Sequence, residues 1–235
     1  MWLFYCPEIK TDMELPQEEA GHCLRVLRMK EGDSLRITDG KGCFYNAVIT
    51  AAQGKRCMVH IETEERQEPL WKGRLHIALA PTKLMDRNEW FVEKAVEIGV
   101  DEITFLKSEH SERDVIKMER IEKIAVSAMK QSQKACLPAL NGMTSFRSFI
   151  ETCPETDRYI AHCEPGSKVN LQDAVVPGHD MVVLIGPEGD FSPQEIEMAL
   201  KAGFKPVSLG PSRLRTETAA LVAVHIMNLA GQKQQ

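Results

Sequence analysis

A chain of 235 residues, 43% of them apolar, has ample material for a packed core and suggests one large domain or two smaller ones. The N-terminus MWLFYCPEIKTDMELP has no basic segment leading into an apolar stretch, and no run approaches about eighteen uninterrupted apolar residues, so neither secretion nor membrane spanning is supported and the expected location is cytoplasmic. The formal net charge of −5 gives no general attraction for nucleic acid, so RNA binding would require a locally basic face.

The first third alternates with period two. Ser34 to Thr38, Cys43 to Thr50 and Arg56 to Thr63 read as strands, joined by the turns Asp39-Gly40-Lys41-Gly42 and Gln53-Gly54-Lys55, a pattern that suits a small β-barrel. The charged stretch from Glu62 to Pro69 reads as a linker, which divides the chain near residue 70 into domains spanning 1–70 and 71–235. After it, strands and helices alternate, as in a mainly parallel sheet covered on both faces. Leu75 to Ala80 is a predicted strand and Asp86 to Ile98 a helix, with Phe91, Ala95 and Ile98 on one stripe and Gly99 as its stop. Strands follow at Glu102 to Leu106, Tyr159 to His162 and Met181 to Ile185, with a helix from Lys117 to Gln133. Ser192-Pro193-Gln194-Glu195 carries a helix-start signature: a serine cap, proline at the first helical position and a glutamate that closes a capping box. Gly203 ends that helix, Lys205 to Leu209 forms the last strand, and Thr218 to Ala230 the last helix, which is apolar nearly all round and is expected to be buried on every side by core or by a subunit interface.

Seven cysteines make an odd count with no C-x-x-C pair, so reduced thiols are expected. His22-Cys23 and His162-Cys163 place adjacent residues on opposite faces if they lie in strands, and no metal site is expected. Two segments stand out: MVVLIGPEGDFSPQEI and SLGPSRLRTETAALVAVH, each an apolar run, a Gly/Pro loop and a helix start. In an open α/β sheet, ligands sit at the carboxyl ends of the strands, where glycines let backbone approach closely. Neither loop is a G-x-G-x-x-G fingerprint and no P-loop is present, which disfavours dinucleotide and polyphosphate sites while leaving an adenosine ligand without polyphosphate open. Thr216 reads as well as a capping group as a ligand contact; Arg215 does not, because an arginine beside a helix N-terminus opposes the local dipole and calls for an external partner.

LIGPEGDFSPQEI and LGPSRLRTETA resemble the two signature segments of SPOUT methyltransferases, specifically of the RsmE family, whose members methylate uridine N3 in bacterial 16S ribosomal RNA. The resemblance extends to Lys83, Asp86, Arg87, Lys94, Glu97 and Gly99, to Ser111-Glu112-Arg113, to Gln131-Ser132 and Leu137-Pro138, and to HCLRVLRMKEGDSLRITDG, which looks like that family's N-terminal PUA-like RNA-binding barrel. It implies an α/β fold: a SPOUT domain with a deep trefoil knot, preceded by the barrel, in a homodimer facing through the knotted regions. The knot is contrary to the general expectation of an unknotted chain. It also implies S-adenosyl-L-methionine as cofactor, held by Leu184, Ile185, Gly186, Pro187, Glu188, Gly189, Leu209, Gly210, Ser212, Leu214, Thr216 and Thr218, with His162 in another wall of the pocket. His162 itself reads more simply as a satisfied structural histidine.

Uridine N3 is a poor nucleophile until its proton leaves, so a base or an anion stabiliser is required. Arg215 is expected to stabilise phosphate or ring oxygens, and Glu217 to orient Arg215 or accept the proton; Glu188 is a weaker candidate. Arg25, Arg28, Lys30 and Arg36 in the first third, with Lys83 and Arg113 later, are the expected RNA contacts, and the partner is small-subunit ribosomal RNA or the assembled small subunit. Two positions depart from the family pattern. Asp190 follows Gly189 where Gly-Gly is usual, and Lys130 and Lys134 flank a Gln-Ser pair commonly framed by an acid and an arginine. The first puts a carboxylate where a helix dipole favours it; the second bears on RNA contact more than on the reaction. Alternatives are a SPOUT enzyme acting on another RNA position, such as a transfer-RNA ribose hydroxyl, and a ribosome-assembly protein without catalysis.

Overall fold

The computed structural model describes residues 2–232. The chain divides into two compact units: residues up to Glu68 together with Val126–Leu137, and Pro69–Ala125 together with residues from Pro138 onward. The split is not linear, because the last turns of one helix and the loop behind it group with the first unit.

The first unit contains β1 (Leu3–Tyr5), α1 (Ile9–Asp12), α2 (Gln17–Gly21), a π-helical turn (His22–Val26), β2 (Ser34–Thr38), β3 (Cys43–Gln53) and β4 (Arg56–Arg66). The strands form one sheet in the order β1-β2-β3-β4, with β1 parallel to β2 and the other pairs antiparallel. Leu35 and Ile37 of β2, Tyr45, Ala47 and Ile49 of β3, and Cys57 and Val59 of β4 alternate inward onto Phe4, Ile9, Ala20 and Cys23. Among the described residues no β1–β4 pairing closes this sheet into the expected barrel; the additions are isolated bridges between Glu14 and Met58 and between Lys41 and Cys136. The expected linker is also corrected: Glu64, Glu65 and Arg66 are paired with Tyr45, Phe44 and Cys43 as the end of β4. A solvated edge strand and a linker share the same polar composition, and pairing decides between them. Arg36, expected among the RNA contacts, lies over the Phe44 ring at 3.9 Å and pairs with Glu65 at 3.2 Å.

The second unit contains β5 (Leu75–Leu79), α3 (Met85–Ile98), β6 (Glu102–Lys107), α4 (Met118–Gln131), β7 (Ala139–Ser145), α5 (Phe146–Thr152), β8 (Asp157–Ala161), β9 (Val169–Asn170), α6 (Leu171–Ala174), β10 (Met181–Ile185), α7 (Pro193–Lys201), β11 (Lys205–Ser208) and α8 (Thr216–Gln232). Its seven strands are all parallel, in the order β7-β6-β5-β10-β8-β11-β9. The central strands β5 and β10 are buried at every residue, as expected of runs covered on both faces. From β5 the chain builds outward through β6 and β7 and later fills the opposite side, so β5 and β10 mark a switch in strand order. Ligands of open sheets bind outside the carboxyl ends at such a point.

Helix boundaries follow local chemistry closely. Gly99, at φ 124°, stops α3. Ser192 and Glu195 form the expected reciprocal capping box at the start of α7, with Pro193 in its first turn. The last helix differs from expectation in two ways: it starts at Thr216, and it is not buried on every side. Ala220, Ala223, Val224, Met227 and Asn228 are buried, whereas Leu229 is 44% exposed and His225 is exposed. One face of α8 packs on the sheet and α3; the other is apolar and open in the single chain.

Candidate functional site

The loops that leave β5, β6, β8 and β10 meet at the carboxyl edge of the sheet and are tied mainly by side chains bonding to backbone. Glu188 accepts from Lys83 N–H at 3.0 Å, Glu195 from Glu109 N–H at 2.9 Å, and His110 Nδ1 lies 3.2 and 3.1 Å from the carbonyls of Gly189 and Asp190. The Arg113 guanidinium donates to the carbonyls of Thr82 (3.1 Å) and Lys83. Arg113 therefore holds two loops together. Lys83 is exposed and pairs with Glu112 at 2.8 Å.

Asp190 organises the first glycine loop. It has φ 63°, a left-handed conformation that side chains seldom adopt, and its carboxylate accepts from Phe191 N–H at 2.8 Å and from Cys163 N–H at 2.6 Å. The second bond ties the loop after β8 to the loop after β10. Gly186 is needed for the loop itself: a Cβ there would meet Phe191 N at 3.0 Å and Asp190 Oδ1 at 3.2 Å. Gly210 differs, with φ 119° and no atom within 4 Å of the place a Cβ would occupy.

Leu184, Ile185, Gly186 and Pro187 are buried, Glu188 and Gly189 exposed; Leu209, Gly210 and Leu214 are half-buried, Ser212 exposed, Thr216 buried and Thr218 half-buried. The second loop runs into a cleft of about 580 Å³ lined by Asp86, Arg87 and Trp90 of α3 and by Arg213, Leu214, Arg215, Glu217 and Thr218. None of the first glycine loop lines it. Starting α8 at Thr216 places Glu217 in the first helical turn, where a carboxylate suits the dipole, and packing buries it to 7% exposure. Its Oε1 lies 3.7 Å from an Arg87 guanidinium nitrogen, and its buried Oε2 has no hydrogen-bond partner. The expected pairing of Glu217 with Arg215 is thus replaced by Arg87, since α3 packs beside α8 and presents Arg87 there. Arg215 is exposed and forms no ion pair among the described residues.

Of Arg87 and Trp90, three residues apart on α3, sequence reasoning named Arg87 only for its family resemblance and positive charge, and did not single out Trp90. A tryptophan 43% exposed on a helix whose buried stripe is Phe91, Val92, Ala95 and Val96 is the signal that points to them. His162 also departs from expectation: its buried Nδ1 has no partner, and burial, followed by the nearby Lys168 charge, lowers its pKa, so a neutral ring is favoured.

Away from this edge, His76 bonds Glu155 at 2.7 Å and Thr104 at 2.8 Å, with Glu102 within 3.7 Å and Cys153 donating to Glu155 at 3.1 Å. His76, Glu102 and Glu155 form the only group of His, Cys, Asp or Glu with metal-ligand spacing among the described residues. Both ring nitrogens already have partners, so the cluster is a complete buried hydrogen-bond network. Of the expected RNA contacts, Arg25, Arg28 and Lys30 are exposed around the π-helical turn, with Arg28 at φ 56°. No helix among the described residues is long and apolar enough to cross a membrane.

Comparison with known proteins agrees with this arrangement. Residues 68–228 match the RNA methyltransferase domain family and residues 15–62 the RNA methyltransferase PUA domain. A ribosomal RNA small subunit methyltransferase E from Buchnera aphidicola is 30% identical, covering 92% of this chain and 89% of its own. A probable rRNA-methyltransferase from Porphyromonas gingivalis superposes with a TM-score of 0.96 at 50% identity over 100% of both chains. A ribosomal RNA small subunit methyltransferase E from Neisseria gonorrhoeae, solved bound to S-adenosyl methionine, gives 0.86 at 29% identity over 97% of each. With a family match over most of the second unit and relatives alike from end to end, the chain belongs to the ribosomal RNA small subunit methyltransferase E family.

Proposed function

We propose that this protein transfers a methyl group from S-adenosyl-L-methionine to N3 of a uridine in small-subunit ribosomal RNA. The observation that carries the reading is Glu217, which lines a cleft rimmed by Arg87, Arg213 and Arg215 and has a buried carboxylate oxygen without a partner, in a chain of this family. The cofactor fits the glycine loops, since the space beside Gly210 is free and His162 Nδ1 is an unused polar atom after β8. Leu184 to Gly189, Leu209, Gly210, Ser212, Leu214, Thr216 and Thr218 are the proposed contacts. When bound, the cofactor supplies an electrophilic methyl carbon on a sulfonium.

Glu217 takes the N3 proton and so leaves on the ring nitrogen the electron pair that would receive the methyl group. Arg215 steadies the charge that develops on the ring oxygens or the adjoining phosphate. Because direct displacement has little other chemistry, most of the rate comes from positioning. Arg25, Arg28 and Lys30 are the proposed RNA contacts of the first unit, and the division near residue 70 separates RNA binding from methyl transfer.

The finer architecture belongs to the same proposal: a trefoil knot in the second unit and a homodimer through it. The open apolar face of α8, with Leu229 44% exposed, supports such an interface. The test is incubation of purified protein with methyl-labelled S-adenosyl-L-methionine and small subunits lacking the modification, followed by nucleoside mass spectrometry. Label in 3-methyluridine at one site is the expected result; label in another nucleoside replaces the target, and no label despite cofactor binding overturns the reading. Arg215→Ala and Glu217→Ala are each expected to lower turnover at least about 100-fold with cofactor binding intact.

A further inference from the structure

We infer that the cleft between α3 and the start of α8 is the seat of the target base, with Trp90 as its stacking platform and Arg87 as the group that positions Glu217. This rests on the proposed uridine methylation and adds two residues to it. Three observations support it. First, none of Leu184 to Gly189 lines the cleft, while Leu214 and Thr218 belong both to the cleft and to the expected cofactor contacts, so cleft and cofactor loops are neighbours rather than one site. The cleft is then the place left for the group that receives the methyl.

Second, its lining combines a half-exposed indole with three guanidinium groups, which matches a planar base attached to a phosphodiester backbone. Third, Glu217 lines the cleft, is more than nine-tenths buried and carries a carboxylate oxygen without a hydrogen-bond partner. A buried acceptor without a donor costs free energy, and a ligand bearing an N–H satisfies it. The uracil edge offers an N–H at N3 beside a carbonyl oxygen. Glu217 Oε2 accepts from the first, and Arg87, 3.7 Å from the other carboxylate oxygen, is close enough to donate to the second. Cytosine carries no proton at N3, so a carboxylate placed at that atom meets a lone pair instead.

The test uses the intact protein without cofactor. Uridine 5′-monophosphate and cytidine 5′-monophosphate are titrated while intrinsic tryptophan fluorescence is followed in the wild type, Trp90→Phe, Trp90→Ala, Arg87→Ala, Arg87→Lys and Glu217→Gln. Cofactor affinity and sedimentation are measured on each. The uridine nucleotide is expected to quench the wild type and to leave Trp90→Phe, which keeps Trp2 and Trp71, nearly unquenched. Trp90→Ala weakens its binding about tenfold or more with cofactor affinity unchanged. Glu217→Gln removes the preference over the cytidine nucleotide, and Arg87→Lys restores part of what Arg87→Ala loses.

Quenching that persists in Trp90→Phe overturns the assignment. So does an equal loss of cofactor affinity in Trp90→Ala, which would make the cleft part of the cofactor site, or conversion of a dimer to monomer by that variant, which would make the indole an interface residue. Methylated uridine without Trp90-dependent nucleotide binding leaves the proposed reaction standing and removes this pocket; Trp90-dependent binding without any methyl transfer does the reverse.

Discussion

Asp190 offers a measurement in which two opposed effects are separated at one position. Its carboxylate accepts from Cys163 N–H at 2.6 Å and Phe191 N–H at 2.8 Å, while its backbone is held at φ 63°. Hydrogen bonds to a charged acceptor contribute roughly 1.5–3 kcal/mol each, but the Cys163 bond is exposed to water, so about 2 kcal/mol for the two together is a reasonable figure. Holding a side-chain-bearing residue in the left-handed region costs roughly 1 kcal/mol, a cost that glycine does not carry. Because Asp190 itself already carries that cost, Asp190→Ala should lose about 2 kcal/mol, for the hydrogen bonds, and Asp190→Gly about 1 kcal/mol by urea denaturation. Both should weaken S-adenosyl-L-methionine binding in calorimetry by freeing the loop after β8, with Asp190→Asn intermediate. If alanine and glycine variants were equally stable, the backbone strain would be absent. If both matched the wild type, the carboxylate bridge would carry no weight and the account of how these loops are held would fall.

Two further tests address the rest of the second unit. Burial pushes the Glu155 carboxyl up, but hydrogen bonds from His76 and Cys153 outweigh it and hold it at about 2. Against an unfolded value of about 4.3, a folded value near 2 corresponds to roughly 3 kcal/mol of stability, present above about pH 5 and lost as pH falls towards 2. Urea denaturation of Glu155→Gln should show that loss near neutral pH and a flatter decline in acid; an unchanged acid limb would refute the network's role. Gly99→Ala should cost about 3 kcal/mol or more, because φ 124° strains any side chain and the new methyl would meet the Trp71 ring and lie 2.7 Å from Asn228 Nδ2. A variant with wild-type melting behaviour would show that the end of α3 relaxes freely.

The sequence by itself determined what depends on neighbours along the chain. Period-two and helical patterns gave most of the strands and α3, α4, α7 and α8, while β1, β7, β9, α1, α2, α5 and α6 were not read from them; the start of α7 followed from Ser192, Pro193 and Glu195, because capping is settled within one turn. The two glycine segments were legible as loops for the same reason, and their wording carried the family. What required tertiary structure was everything fixed by contacts distant in sequence. Glu62 to Arg66 has a linker's composition but is strand because β3 pairs with it. That Arg113 bonds the carbonyls of Thr82 and Lys83 is set by residues 31 and 30 positions away. Glu217 was expected to work with Arg215, two residues away, yet α3 lies against α8 and brings Arg87 from 130 positions earlier. Local propensity cannot specify such pairings; the packing of the helices on the sheet decides them, and with them which charge in the cleft has a partner and which is left for a ligand.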